Sequence, residues 1–228
     1  GPCAPIDIAA PIACTLTDDP ATDAVEGPVV GPLIRTSVVI GAFAASAALV
    51  SNPAPADGDA AARMFVTVRG DPSVTYFDLD DDVKNPAGAF RLDCKADGPE
   101  TQALGRRCGE ASRIGANAYE SSRLLTLPVE PLGIAASDDG RALVTVHETE
   151  ASASLMVNRW NAKPTLEFTA TGLPNAPNDV ASIPSPAYLR VLAAGGSTVD
   201  YAPGFLATFS AAREVDLLRF YDDSAGTS

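Results

Sequence analysis

PLGIAASDDGRALVTVHETEASASLMVN, residues 131–158, consists of three apolar and β-branched runs parted by two polar breaks, Ser137-Asp138-Asp139-Gly140 and Glu148-Thr149-Glu150. Short runs of this composition bounded by Gly, Asp and Ser are the mark of antiparallel strands joined by tight turns. Apolar residues occupy both parities of the middle run, as they must in a small sheet covered on its two faces.

Working outward, the same layout occurs twice more. Upstream, Gly41-Ala42-Phe43-Ala44 leads through Ala47-Ala48-Leu49 to MFVTVRGDPSVTYFDLD, residues 64–80. Downstream, Pro174-Asn175-Ala176-Pro177 leads through NDVASIP to FLATFSAAREVDLLRFYDD, residues 205–223. Aligned on Thr67, Thr145 and Thr208, each unit reads as strand, turn, strand, polar hairpin, strand. The anchors Pro131 and Pro177 are 46 residues apart, which sets a repeat near 45 residues; the longer interval from Ala44 holds a cysteine-bearing insertion at about 84–122. Units that must bury both faces do so by stacking around an axis, which predicts an all-β chain of about three to four four-stranded β-propeller blades. Helical periodicity is confined to residues 102–119, where internal glycines permit no more than a short turn.

The segments PLGIAASDDGRALVT (131–145) and FVTVRGDPSVTYFDLD (65–80) resemble blades of the YVTN or YncE-like β-propellers. The insertion followed by RLLTLPVEPLGIAASDDG (123–140) is similar to extracytoplasmic propeller lipoproteins of myxobacteria-like, high-GC bacteria. The resemblance covers residues 33–222 and implies a ring of six to eight blades, so a remaining propeller half is expected from the same precursor or a second chain. An unclosed set of blades leaves two apolar flanks. Residues 29–40 are the expected outer strand of the closing blade, paired with that missing half.

Sixteen Lys and Arg against twenty-nine Asp and Glu give a net charge of −13, which repels phosphate backbones and excludes a nucleic-acid-binding role. The longest apolar stretch, 38–50, is too short to span a bilayer as a helix. Residues 1–32 hold six prolines and an acidic run and read as an extended leader, and 223–228 as a tail. Disulfides Cys3–Cys14 and Cys94–Cys108 are expected, with free thiols or a four-thiolate metal centre as alternatives; disulfides place the chain outside the cytoplasm, in the periplasm, on the outer surface or secreted. Cys3 is also a candidate lipid attachment point.

Chemistry-bearing residues are few. Arg69 and Asp71, His147 and Glu148, and Arg213 and Glu214 fall in the hairpin after the second strand of each unit, where they are candidates to line one ligand surface. His147, the one histidine, is a weak candidate general base, set against a polar residue between strands. Asp78, Asp80 and Asp82 have the spacing of half a calcium loop, but Val83 stands where the turn glycine belongs, which favours a solvated acidic turn. Trp160 is expected between adjacent blades, with an exposed glycan platform as the alternative. No phosphate loop, dinucleotide fingerprint or haem motif occurs, so no cofactor is expected. The functional expectation is a non-catalytic binding or scaffold module for a protein or envelope glycan, with a lactonase-like or redox-subunit propeller enzyme as the alternative.

Overall fold

The structure, a computed structural model, describes residues 37–53, 55, 60–79, 92–94, 106–184 and 202–220. The leader 1–32 with Cys3 and Cys14, residues Asp80 and Asp82, and the tail 223–228 lie outside the described residues.

The chain is nearly all-β, and its antiparallel sheets stack in the manner of propeller blades. After the short β1 (Val38–Val39), the first sheet forms from β2 (Ala44–Ser51), β3 (Ala62–Val68) and β4 (Ser73–Leu79). The cysteine insertion then supplies β5 (Leu92–Asp93), β6 (Arg106–Arg107) and β7 (Arg113–Ile114); β5 and β7 both pair with β4 and extend the first sheet outward. Of the stretch 102–119 with its weak helical signal, the described residues, from 106 on, form two single 3-10 turns, Glu110–Ser112 and Ala118–Glu120. The second sheet is β8 (Pro131–Ala136), β9 (Ala142–His147), β10 (Ser152–Val157) and β11 (Thr165–Thr171), in sequence order from inside to outside. The third is β12 (Pro177–Ile183), β13 (Gly204–Phe209) and β14 (Val215–Arg219). Only the second sheet has the expected four strands; among the described residues the first has five and the third has three.

Local sequence explains the turns. Between β8 and β9, Asp139 Oδ1 accepts from Ser137 Oγ at 2.5 Å and from the Arg141 amide at 3.1 Å, while Gly140 takes a left-handed φ of +66°. An aspartate satisfying turn donors followed by a glycine free to adopt positive φ closes the hairpin without strain.

The sheets stack face to face in chain order. On the first sheet, Val50, Phe65, Val74 and Tyr76 form the face leading toward the second, and they meet Ile134, Leu143, Met156 and Leu166. Ala135, Ala142, Val144 and Val146 lead from the second sheet onto Val180, Phe205, Ala207 and Phe209 of the third. The inner strands β2, β8 and β12 touch in turn. Their approach is close: a Cβ on Gly133 of β8 would lie 2.7 Å from Cα of Asp179 on β12.

Register corrects the threonine alignment. Val68 pairs with Ala44, His147 with Pro131 and Phe209 with Pro177, so Thr67 and Thr208 correspond to Val146 and not to Thr145. Side chains alternate along a strand, so this slip of one residue turns Thr145 to the opposite face. Thr67 Oγ1 donates across to the Leu132 carbonyl of the second sheet at 2.8 Å, whereas Thr145 Oγ1 donates to the Gly133 carbonyl within its own sheet at 2.8 Å.

The flanks are not the open pair that was expected. The trailing face of the first sheet, with Val66 and Phe77, is covered by Cys94, Cys108, Val38, Ile40 and Leu92. Cys94 and Cys108 form the expected disulfide, with Cα atoms 5.3 Å apart. The same packing overturns the expected role of residues 29–40 at its described end, because Val38–Val39 pairs in parallel with Arg106–Arg107 inside the chain. Residues 29–36 lie outside the described residues.

Candidate functional site

The three inner strands begin alike. Phe43, Glu130 and Ala176, each directly before an inner strand, have φ of +60°, +51° and +57°. A left-handed residue other than glycine costs backbone energy and persists only where neighbours enforce it. Here the hairpin after the second strand does so. The Arg69 amide donates to the Phe43 carbonyl at 3.0 Å, Gly70 to Ala42 at 3.0 Å, and Ser210 to Ala176 at 2.9 Å. Each hairpin therefore lies at the same end of its sheet as the start of the inner strand, and this end carries the residues singled out as a ligand surface.

At that end, charge ties the first two blades together. Arg69 Nη2 donates to Glu130 Oε1 at 3.0 Å, and Thr149 Oγ1 donates to Glu130 Oε2. The Thr149 hydroxyl first, and Arg69 second, hold the Glu130 carboxyl below the usual carboxylate range. Asp71 Oδ2 accepts from Arg113 Nη1 at 2.5 Å, which fixes the hairpin to β7. Arg213 and Glu214 are exposed on the third hairpin and take no part in these contacts. The structure thus brings Arg69 and the turn beyond Glu148 together through Glu130, and leaves the third hairpin apart.

His147 is not a hairpin residue. It ends β9, fully buried, with the half-buried Glu148 beginning the turn. Its Nε2 lies 2.8 Å from Ser154 Oγ, which in turn lies 3.2 Å from Thr169 Oγ1, a polar line running outward across the second sheet. Burial pushes the His147 pKa down to about 4; the backbone of Val129 and Pro128 and the Glu150 carboxylate oppose this only in part. The imidazole is consequently neutral at pH 7. A serine and a neutral histidine at this distance have the spacing of a nucleophile and its base. A shallow depression lined by Asn117, Glu120, Ser121 and Thr165 includes neither residue.

Asp78 is engaged by Arg63, whose Nε donates to Asp78 Oδ1 at 2.6 Å. Among the described residues no group of three or more His, Cys, Asp and Glu side chains could hold a metal ion.

Arg63 is the feature that sequence reasoning missed. It sits on β3, is 3% exposed, and reaches across to the loop after β10. Its Nη1 donates to Asn158 Oδ1 at 2.6 Å and to the Arg159 carbonyl at 3.2 Å. The guanidinium lies 4.8 Å from the Tyr76 ring centre and 5.6 Å from that of Trp160. Asn158 Nδ2 donates onward to the Gly140 carbonyl at 2.9 Å. Planar, multiply hydrogen-bonded and stacked on aromatic rings, this side chain joins the first two blades at the end opposite the hairpins. Trp160 accordingly packs between the blades, near Gly140 and Val50. One signal was available: an arginine in the otherwise apolar strand ARMFVTV.

No family model and no curated protein matches the chain. Among solved structures it is similar to hydrazine synthase of Kuenenia stuttgartiensis, with a TM-score of 0.35 and 13% identity over 87% of this chain. The chain spans 40% of the length of that structure.

Proposed function

We propose that this chain is a non-catalytic binding or scaffold module, part of an extracytoplasmic propeller of the YVTN or YncE-like kind, whose partner is a protein or an envelope glycan. The observation that carries this reading is the employment of its polar chemistry. His147, Arg63, Arg69 and Asp71 are each committed to neighbours that hold strands and blades in place. Such a chain offers shape and surface. The Cys94–Cys108 disulfide supports an oxidising compartment, and among the described residues no helix is long and apolar enough to cross a membrane.

The catalytic alternative rests on the contact between Ser154 and His147. Both are buried at the middle of the stack. The two readings separate in one experiment: the chain is incubated with lactone and ester panels and, in parallel, with arrays of envelope glycans and immobilised envelope proteins. Saturable binding that survives Ser154→Ala is expected. Turnover of a lactone or ester that vanishes in Ser154→Ala would overturn the proposal.

A further inference from the structure

On the third sheet, no described residue covers the face pointing away from the second. Leu206, Val215 and Leu217 are 40%, 57% and 57% exposed. Register sets them side by side, with Leu206 opposite both Ala181 and Leu217, and Val215 opposite Thr208. The same sheet is also unfinished at its edge. In the second sheet β11 lies outside β10, whereas among the described residues β14 has no outer neighbour. Among the described residues, this sheet thus presents an apolar face and an edge strand with no partner strand together, a combination that soluble proteins ordinarily cover.

We propose that this face and edge are the docking surface for a further antiparallel β-sheet unit of the same kind, carried by polypeptide outside these 228 residues. The occupant's identity as a blade rests on the propeller reading above. Continuity with the two interfaces inside the chain argues for it. By register, Phe65 on the first sheet, Val144 on the second and Leu206 on the third are equivalent, as are Tyr76, Leu155 and Leu217. On the first two sheets these positions face the next sheet in sequence and belong to, or pack against, an inter-sheet core. The third sheet repeats the pattern with its counterpart surface bare.

A second copy of this chain stacked head to tail is a poor occupant. To stack head to tail it would have to offer the trailing face of its own first sheet, and that face is filled by Cys94, Cys108, Val38 and Leu92. The seal makes stacking one-sided. The interfaces also specify the chemistry of the occupant. It needs bulky apolar side chains to meet Leu206 and Leu217, as Leu143 and Met156 meet the first sheet.

The test is photo-cross-linking in the host's own compartment. Benzoylphenylalanine replaces Leu206, and separately Leu217, in the full chain, with replacement of the exposed Tyr119 as the reference. Both positions are expected to cross-link at least tenfold more than position 119. The linked residues are expected to be apolar and to lie in strand-like, alternating segments of a polypeptide absent from these 228 residues. Amides of β14 in the host-derived assembly should exchange at least tenfold more slowly than in the isolated chain. Cross-links to peptides of this same chain, to lipid or to glycan, or yields no higher than at position 119, would overturn the proposal. Leu206→Asp in the isolated chain, with Leu217→Asp as a second variant, should keep the wild-type melting temperature while lowering binding of a hydrophobic dye at least twofold; unchanged dye binding in both counts against the open face. Failure of the binding-module reading is distinguishable, since lactone turnover would leave the cross-links unaltered.

Discussion

Phe77 and Leu217 occupy the third strand of their respective blades and both point away from the middle sheet, yet Phe77 is 3% exposed and Leu217 is 57% exposed. The strands that carry them, SVTYFDL and VDLLR, are equally capable of a two-sided sheet. What differs is that the first sheet carries the cysteine insertion on its face. After β4 the chain makes an insertion that returns over the sheet, pairs twice with β4 and is locked by Cys94–Cys108. A face is buried or open according to what the rest of the chain lays upon it, and a disulfide lets a short, Gly- and Asp-containing loop do the work of a sheet.

The largest break in this comparison comes from truncating the sealed face. Phe77→Ala should destabilise the chain by about 3 to 5 kcal/mol in urea unfolding, because a large aromatic is removed from beneath a lid that cannot collapse to fill the space. The equivalent truncation on the open face, Leu217→Ala, should stay within about 0.5 kcal/mol. Equal losses at the two sites would mean that the open face is covered in solution.

Removing the clasp comes next. Cys94→Ser with Cys108→Ser should cost about 3 kcal/mol in the chain-entropy description of a loop of this size, and dye binding should rise as Val66 and Phe77 become accessible. A reductant acting on the unaltered chain should reproduce both effects, and should do neither to the third sheet.

The middle sheet sharpens the contrast through pH. The His147 pKa stands at about 4 in the folded chain against 6.5 for the free side chain, because burial disfavours the imidazolium. Between these values the unfolded chain binds the extra proton, so stability is complete above about pH 6.5 and falls as the pH drops toward 4. At 1.36 kcal/mol per pKa unit the loss amounts to about 3 kcal/mol. His147→Gln should flatten the midpoint of urea unfolding across this window, whatever its effect at pH 7.

The smallest expected effect is at the hairpin end. Arg69→Ala removes a half-exposed ion pair with Glu130 that solvent screens, and should leave the thermal unfolding midpoint nearly unchanged. Its partner should respond more clearly than the fold: the Glu130 carboxyl, followed by NMR titration, should move up toward the ordinary carboxylate range.

Much of the architecture was legible because it rests on short-range chemistry. The apolar runs, the Ser137–Gly140 turn and the anchors Ala44, Pro131 and Pro177 are where the inner strands and hairpins form. The alignment on threonine failed by one residue in the middle unit. Thr67, Thr145 and Thr208 are alike in type, but register is set by pairing across the hairpin, and β9 pairs His147 where the other blades pair Val68 and Phe209. That slip moved His147 out of the exposed hairpin, where the sequence had placed it, and into the sheet beside Ser154.

Composition, turn residues and the spacing of apolar runs by themselves pointed to an all-β chain of repeated blade-like units and placed Cys94 and Cys108 in one excursion where a disulfide was expected, because strand and turn preferences act over a few residues; that the two thiols meet was settled by the fold. Only the tertiary structure decided which faces are covered, that Arg63 on β3 is answered by Asn158 on the next blade, and that the only histidine is buried beside Ser154 with its pKa pushed down. Those facts depend on residues that lie far apart in sequence and meet only when the sheets stack. Burial, pairing and the pKa that follows from them are properties of the stack.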